Sequence, residues 1–217
     1  MNGIWEMNAI TLIKMGGPLM YPILLCSVVA LAIMIDRLIY YTAIKTNVSQ
    51  LKKTLFDDIK RNHIKEALQK CDNNRSPVAK VLRAGILQYG ASREDIKEGM
   101  EDASLFEIPK LESRLGALAT IAHVSPLLGL LGTVTGMTAS FHTVQIRAAS
   151  MSPTTPGDLA GAIGEALLTT VAGLMVAIPT YVAYNYFVNR VNHYVLDMER
   201  SATELVNYMT HIKETKV

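Results

Sequence analysis

Long uncharged runs alternate with charge-dense segments along this 217-residue chain. From Met15 to Ile35 there is no Asp, Glu, Lys or Arg, and the same is true from Leu115 to Ile146. A third run, Leu159 to Asn189, is interrupted once, by Glu165. About 20 predominantly apolar residues cross a hydrocarbon core of ~30 Å, so each run predicts a membrane-spanning helix. The second and third are longer than a bilayer requires, on the order of 45 Å at 1.5 Å per residue. Each is therefore expected to tilt or to project into water.

The first run opens with Gly16-Gly17-Pro18, residues suited to a helix start, and ends at Asp36-Arg37-Leu38-Ile39-Tyr40-Tyr41, which has the character of an interfacial boundary. A cleaved signal peptide is the competing reading. It is disfavoured by the missing basic leader region and by the length of the run. The second and third runs are joined by Arg147–Asp158, whose Ser152-Pro153-Thr154-Thr155-Pro156-Gly157 predicts a short turn and an antiparallel hairpin.

Basic residues set the expected orientation, because Lys and Arg accumulate on the cytoplasmic side. Thr42–Arg114 carries fourteen of them, whereas the leader has Lys14 and the link has Arg147. The expected organisation is an all-α membrane protein with three transmembrane helices, the long second and third extending into a cytoplasmic helical domain. It has a periplasmic leader (1–14), transmembrane helix 1 (15–41), a cytoplasmic helical domain (42–114) and transmembrane helix 2 (115–146). A periplasmic loop (147–158), transmembrane helix 3 (159–189) and a cytoplasmic C-terminal helix (190–217) complete it.

Within the cytoplasmic segment the periodicity is helical. Leu51, Leu55 and Ile59 recur at four-residue spacing, followed by Ile64 and Leu68. A break at Asp72-Asn73-Asn74-Arg75-Ser76-Pro77 precedes a helix through Val78, Val81, Leu82 and Ile86. Ser92 with Asp95 resembles a capping box, starting a helix expected to continue past Pro109 towards the second span. Acids and bases are interleaved, as in Asp57-Asp58-Ile59-Lys60-Arg61, so these charges read as a solvated face and no basic nucleic-acid surface forms.

Composition sharpens the membrane reading. Half of the residues are hydrophobic and 18% are charged, too apolar for an ordinary soluble domain of this size. Cys26 and Cys71 have neither ligand spacing nor a disulfide framework, so no metal or cofactor is expected. No nucleophile with a nearby base, phosphate loop or metal cluster appears, which argues against an enzyme. His123 and His142 stand alone and read as packing or interfacial residues.

The spans carry the chemistry. At about 100° per residue, Ser125, Gly129, Gly132, Thr133, Gly136, Ser140 and Thr143 fall on one arc of the second span. Gly132 and Gly136 fit close helix packing of the small-xxx-small kind, while the hydroxyls bond either their own backbone or water in a cavity. In the third span Gly161, Glu165, Thr169, Ala172, Gly173, Val176 and Thr180 form a second small, weakly polar stripe. Glu165 is a functional candidate because a carboxylate inside a span is expensive. It lies only seven residues past Asp158, roughly 10 Å along a helix, so an interfacial, hydrated glutamate is the alternative, against which the stripe it shares argues. Pro179 removes one backbone hydrogen bond further along.

The motifs Gly129-Leu130-Leu131-Gly132-Thr133-Val134-Thr135-Gly136-Met137, Gly161-Ala162-Ile163-Gly164-Glu165-Ala166-Leu167-Leu168-Thr169-Thr170-Val171-Ala172-Gly173-Leu174 and Ala177-Ile178-Pro179 together resemble the ExbB/TolQ/MotA proton channel family. Three spans point to its ExbB/TolQ-type branch, since MotA-type subunits have four. The resemblance implies an inner-membrane homopentamer surrounding the helices of two single-span ExbD/TolR-like partners, whose aspartate carries the proton. It also implies coupling of proton flow to work on the periplasm or outer membrane, for example through a TonB-like protein. The family's channel threonines carry over onto Thr133 and Thr170, and its third-span glutamate onto Glu165.

On an ideal helix Thr170 lies about 140° from Glu165 and Thr169 only about 40° away, so Thr169 is kept as a weaker pore candidate. Gly129, Gly132, Gly136, Gly161, Gly173 and Pro179 are assigned to helix packing or the pore face. A TolQ-like envelope-maintenance role, a sodium-driven stator and a non-conducting scaffold are the alternatives left open.

Overall fold

The computed structural model describes residues 16–151, 153 and 155–215, with side chains left out for 156, 158 and 213–215. The leader 1–14 and parts of the 147–158 link thus lie outside the described residues. The described elements are α1 (Met20–Ala43), α2 (Val48–Lys60), α3 (Ile64–Asp72), α4 (Pro77–Leu87), α5 (Arg93–Glu112), α6 (Leu115–Ala149) and α7 (Pro156–Thr215). No strand occurs among the described residues. Three of the helices are long and apolar enough to cross a membrane.

The chain divides into two compact units. The first contains the described residues up to Ile35 together with Arg114–Asn185. It buries a narrow seam: Ile23 and Ala30 of α1, Leu118, Ser125 and Gly132 of α6, and Ala166, Thr169 and Ala177 of α7. Large apolar side chains cover its outside, including Leu25, Val28, Leu31, Leu127, Val134, Phe141, Val171, Met175 and Val182. A soluble unit does not leave such a surface to water, whereas in hydrocarbon these side chains meet a solvent as apolar as themselves. The small residues go inside because, without a hydrophobic force between helices, close backbone approach supplies the attraction.

The second unit comprises Asp36–Ser113 and the chain from Tyr186 onward. Here burial follows the soluble pattern. Leu55, Ile59, Val78, Leu82, Ile86, Met100, Leu111, Met198 and Leu205 are almost fully enclosed. Consecutive helices pack in order, α2 on α3, α3 on α4 and α4 on α5. Asn47 caps α2 through its side chain, and Ser92 with Asp95 forms the reciprocal capping box expected at the start of α5. The bonds between Ser92 and Asp95 hold the Asp95 carboxyl below its usual range. The ring of Tyr208 stacks on Phe56, and its hydroxyl donates to the Phe56 carbonyl at 3.1 Å.

One helix boundary differs from the sequence expectation. Pro109 is accommodated inside α5, as expected, but the helix does not run on into the second span: the chain breaks at Ser113, which is extended (ψ 137), and at Arg114, which is left-handed (φ 64). The break removes the amide donors that the last carbonyls of α5 would meet in a continuing helix. Two side chains of α1 replace them: Arg37 Nη1 donates to the Lys110 carbonyl at 3.3 Å, and the Tyr41 hydroxyl donates to that of Leu111 at 2.8 Å. Asp36 sits against the same guanidinium at 2.9 Å. At residue 190, where the apolar composition ends, no helix boundary falls: α7 is one element of 60 residues, the long third helix that the length of its apolar run predicts.

Candidate functional site in the apolar unit

Helices α6 and α7 touch through their small residues. A methyl group placed on Gly129 would lie 2.9 Å from the Thr170 Cα, and one on Gly132 would lie 2.7 Å from the Thr169 Cβ. On Gly136 it would meet Ala166 Cβ at 2.7 Å, and on Gly173 the Ser125 carbonyl oxygen at 2.5 Å. Four of the glycines singled out from the sequence thus lie at one helix–helix contact inside a single chain. Gly161 does not: a methyl there meets nothing within 4 Å. Pro179 lies exposed within α7.

The hydroxyls divide in the same way. Thr133 Oγ1 donates to its own helix at Leu130 (2.7 Å), as do Thr135, Ser140 and Thr180 to theirs. Thr170 Oγ1 also reaches across the interface: it donates to the Gly129 carbonyl at 2.9 Å, nearer than its own-helix acceptor, the Ala166 carbonyl at 3.3 Å. Thr169 is almost fully buried, and its hydroxyl donates to the Glu165 carbonyl at 2.7 Å. The neighbours on the sequence therefore do different work: Thr170 ties the two helices, while Thr169 packs under Gly132.

Beside this contact lies a cavity of about 210 Å³, bounded by Gly132, Thr135, Gly136 and Ala139 of α6, by Ala162, Glu165 and Thr169 of α7, and by Gly16, Pro18 and Leu19 ahead of α1. Its polar lining is the Glu165 side chain and two threonine hydroxyls whose protons are engaged by backbone carbonyls. The oxygen lone pairs remain to accept from water, so the space has the size and partners to hold water beside a carboxyl group. Glu165 and Thr169 are brought together here. Thr133 and Thr170 are not among the lining residues, so within one chain the four candidates do not form a single cluster.

Sequence reasoning missed Thr135 and the Gly16–Leu19 segment. Thr135 lies on α6 three residues beyond Gly132, and only the tertiary pairing of α6 with α7 turns it towards Glu165. The Gly-Gly-Pro segment is visible in the sequence as a helix start, but its meeting with residue 165 is not a local property. His123 is held by its Nδ1–H, which donates to the Ala119 carbonyl at 2.7 Å, with its ring edge-on to Tyr181. No group of three metal-binding side chains occurs among the described residues.

An all-α, multi-pass membrane protein with one carboxyl group set among threonines between two glycine-packed spans is the class this arrangement defines. The model of the MotA/TolQ/ExbB proton channel family matches residues 57–200, and the chain belongs to that family. It is 32% identical to an ExbB-like biopolymer transport protein of Synechocystis (ExbB-like 3), over 79% of this chain and 81% of the relative. An ExbB homologue of Methanothermobacter thermautotrophicus shares 27% identity over 94% of this chain and 70% of its own length. The Tol-Pal system protein TolQ of Pseudomonas aeruginosa is 36% identical over 52% of each.

Proposed function

We propose that this chain is the ExbB-like subunit of a proton-driven motor in the bacterial inner membrane. Five copies surround a pair of single-span ExbD/TolR-like partners, with the amino terminus periplasmic and the carboxyl terminus cytoplasmic. Proton passage between the ring and the partner aspartate does mechanical work on the periplasm or outer membrane, as in TonB-dependent transport. The observation that carries the reading is the Glu165 side chain on a threonine-bearing cavity in an otherwise uncharged span. An ionisable group in hydrocarbon is costly to keep unless it is used.

Thr133 is half-buried and its own-helix bond leaves lone pairs able to accept from a protonated carboxyl on a partner. A hydroxyl suits that transient contact because it carries no fixed charge to trap the carboxylate. Thr170 holds α6 to α7 through its bond to the Gly129 carbonyl, and Thr169 and Glu165 lie beside the cavity.

A scaffold that only packs helices is the second reading, favoured by the intrachain contacts that Gly129, Gly132, Gly136 and Gly173 make. The discriminating experiment is proton flux into liposomes containing the chain alone or with its single-span partner. The motor reading expects flux only with the partner, lost in Thr133→Ala and Glu165→Gln while assembly is unchanged. Flux independent of the partner, or undiminished in both variants, overturns it.

A further inference from the structure

The segment ahead of α1 makes a contact whose chemistry the motor reading leaves unused. Gly17 has a left-handed backbone (φ +67), and a methyl group built on it overlaps the Glu165 carboxylate, meeting Oε1 first, then Cδ at 2.6 Å and Cγ at 3.2 Å. Residues on either side, Gly16, Pro18 and Leu19, complete the wall of the cavity that holds Glu165. The turn is fixed locally: the Met20 amide donates to the Gly17 carbonyl at 3.2 Å and that of Tyr21 to Pro18 at 3.3 Å. Met20 itself is buried, its Cγ and Sδ folded back against Gly16, so the turn is anchored to the packed end of α1.

We propose that the Gly16–Leu19 turn is a cover over Glu165 and that Gly17 is a positioning residue for its carboxyl group. The missing side chain does two things at once. It permits the left-handed backbone that brings the turn over α7, and it vacates the volume that the carboxylate occupies. The carboxyl is thereby held at the wall formed by the chain's own amino-terminal turn, in the cavity that Thr135 and Thr169 also line. Water and protons reach it through the cavity and not directly past the turn.

This inference rests on the motor reading only for its functional readout, and a second readout is independent of it. In liposomes with the partner, Gly17→Ala lowers proton flux about tenfold or more in the Glu165 background. In a Glu165→Asp background the same substitution costs less than about threefold, because the carboxyl withdraws by one methylene and leaves room for the methyl. Gly17→Asn separates collision from backbone strain. Asn tolerates the left-handed conformation better than Ala, so a strain-only effect makes Asn the milder change, whereas collision makes it at least as severe and beyond rescue by Asp.

The independent readout is modification of Glu165 by dicyclohexylcarbodiimide in liposomes of the full chain without partner, followed by peptide mass spectrometry. The expected result is slow labelling in the wild type and labelling at least fivefold faster in Gly17→Ala. Equal fold-losses of flux in the two backgrounds, or equal labelling rates, overturn the proposal. Absence of partner-dependent flux in the wild type overturns the motor reading instead, and the labelling rates then decide the cover alone.

Discussion

Replacing Gly173 by Ala tests whether the glycine row packs α6 on α7 within one chain. The added methyl would stand 2.5 Å from the Ser125 carbonyl oxygen and 3.3 Å from the Gly129 Cα, both backbone atoms that no rotamer change relieves. Ordinary contact begins at 3.4 Å, so the helices must part by 3.4 − 2.5, about 0.9 Å, at that point. Overpacking of this kind costs about 1–3 kcal/mol. Parting the helices also weakens the Thr170–Gly129 bond, an interaction worth about 0.6 kcal/mol on average between membrane helices. Ala is the better helix former by about 0.5–1 kcal/mol, which offsets part of the loss.

The expected net effect of Gly173→Ala is a destabilisation of about 1–2 kcal/mol. Gly161→Ala serves as the internal control: it meets nothing within 4 Å and is expected to be neutral or stabilising by about 0.5 kcal/mol. Both are read by titrating detergent-solubilised protein with sodium dodecyl sulfate and following near-ultraviolet circular dichroism of the aromatic residues. Unfolding of Gly173→Ala at the wild-type midpoint, or a larger loss in Gly161→Ala, refutes the reasoning. The row would then be packing between copies and not within one.

Glu107 provides a pH prediction. Burial opposes its charge, but Lys110 and Lys80 donate to it at 2.5 and 2.9 Å and hold the carboxyl below its usual range. A lowered folded-state pKa gives stability present above the unfolded value near pH 4.3 and lost as pH falls through the folded value. Glu107→Gln is expected to cost about 1–2 kcal/mol at pH 7, discounted because both lysines are about half exposed, and to flatten the acid limb of stability measured by denaturation between pH 6 and 3. Cys71 is buried and its thiol is pushed up to about 12 by that burial, with Asp72 adding to it, so at pH 8 maleimide should label Cys71 only after unfolding, as mass spectrometry of the peptide will report.

The spans and their order were legible because hydrocarbon imposes length and excludes charge, both of which are written in a single strand of sequence. Local chemistry was equally readable where partners are three residues apart, as Ser92 and Asp95 are. The end of α5 was not. Pro109 is the visible irregularity, yet the helix passes it and stops four residues later, where capping by Arg37 and Tyr41 satisfies the carbonyls left open. Nothing near residue 113 announces donors that lie some 70 positions upstream. The angular tension between Thr169 and Thr170 was present in helix geometry, but what each hydroxyl does depends on the facing helix. The meeting of Gly17 with Glu165 had no sequence signal of any kind, since its two halves are joined only by tertiary packing.

The Arg37 and Tyr41 bonds also set a timetable. Their acceptors lie 73 and 70 residues further along the chain, and at a synthesis rate of about 5–20 residues per second they emerge roughly 4–15 s after the donors. Throughout that interval the guanidinium lacks its native acceptor, the Lys110 carbonyl. The carboxylate of Asp36, its immediate neighbour, is made with it, so this partner alone needs no distant part of the chain. The local ion pair can thus form before the long-range bonds, and loss of Asp36 is expected to lower the yield of folded protein more than the stability of the finished molecule.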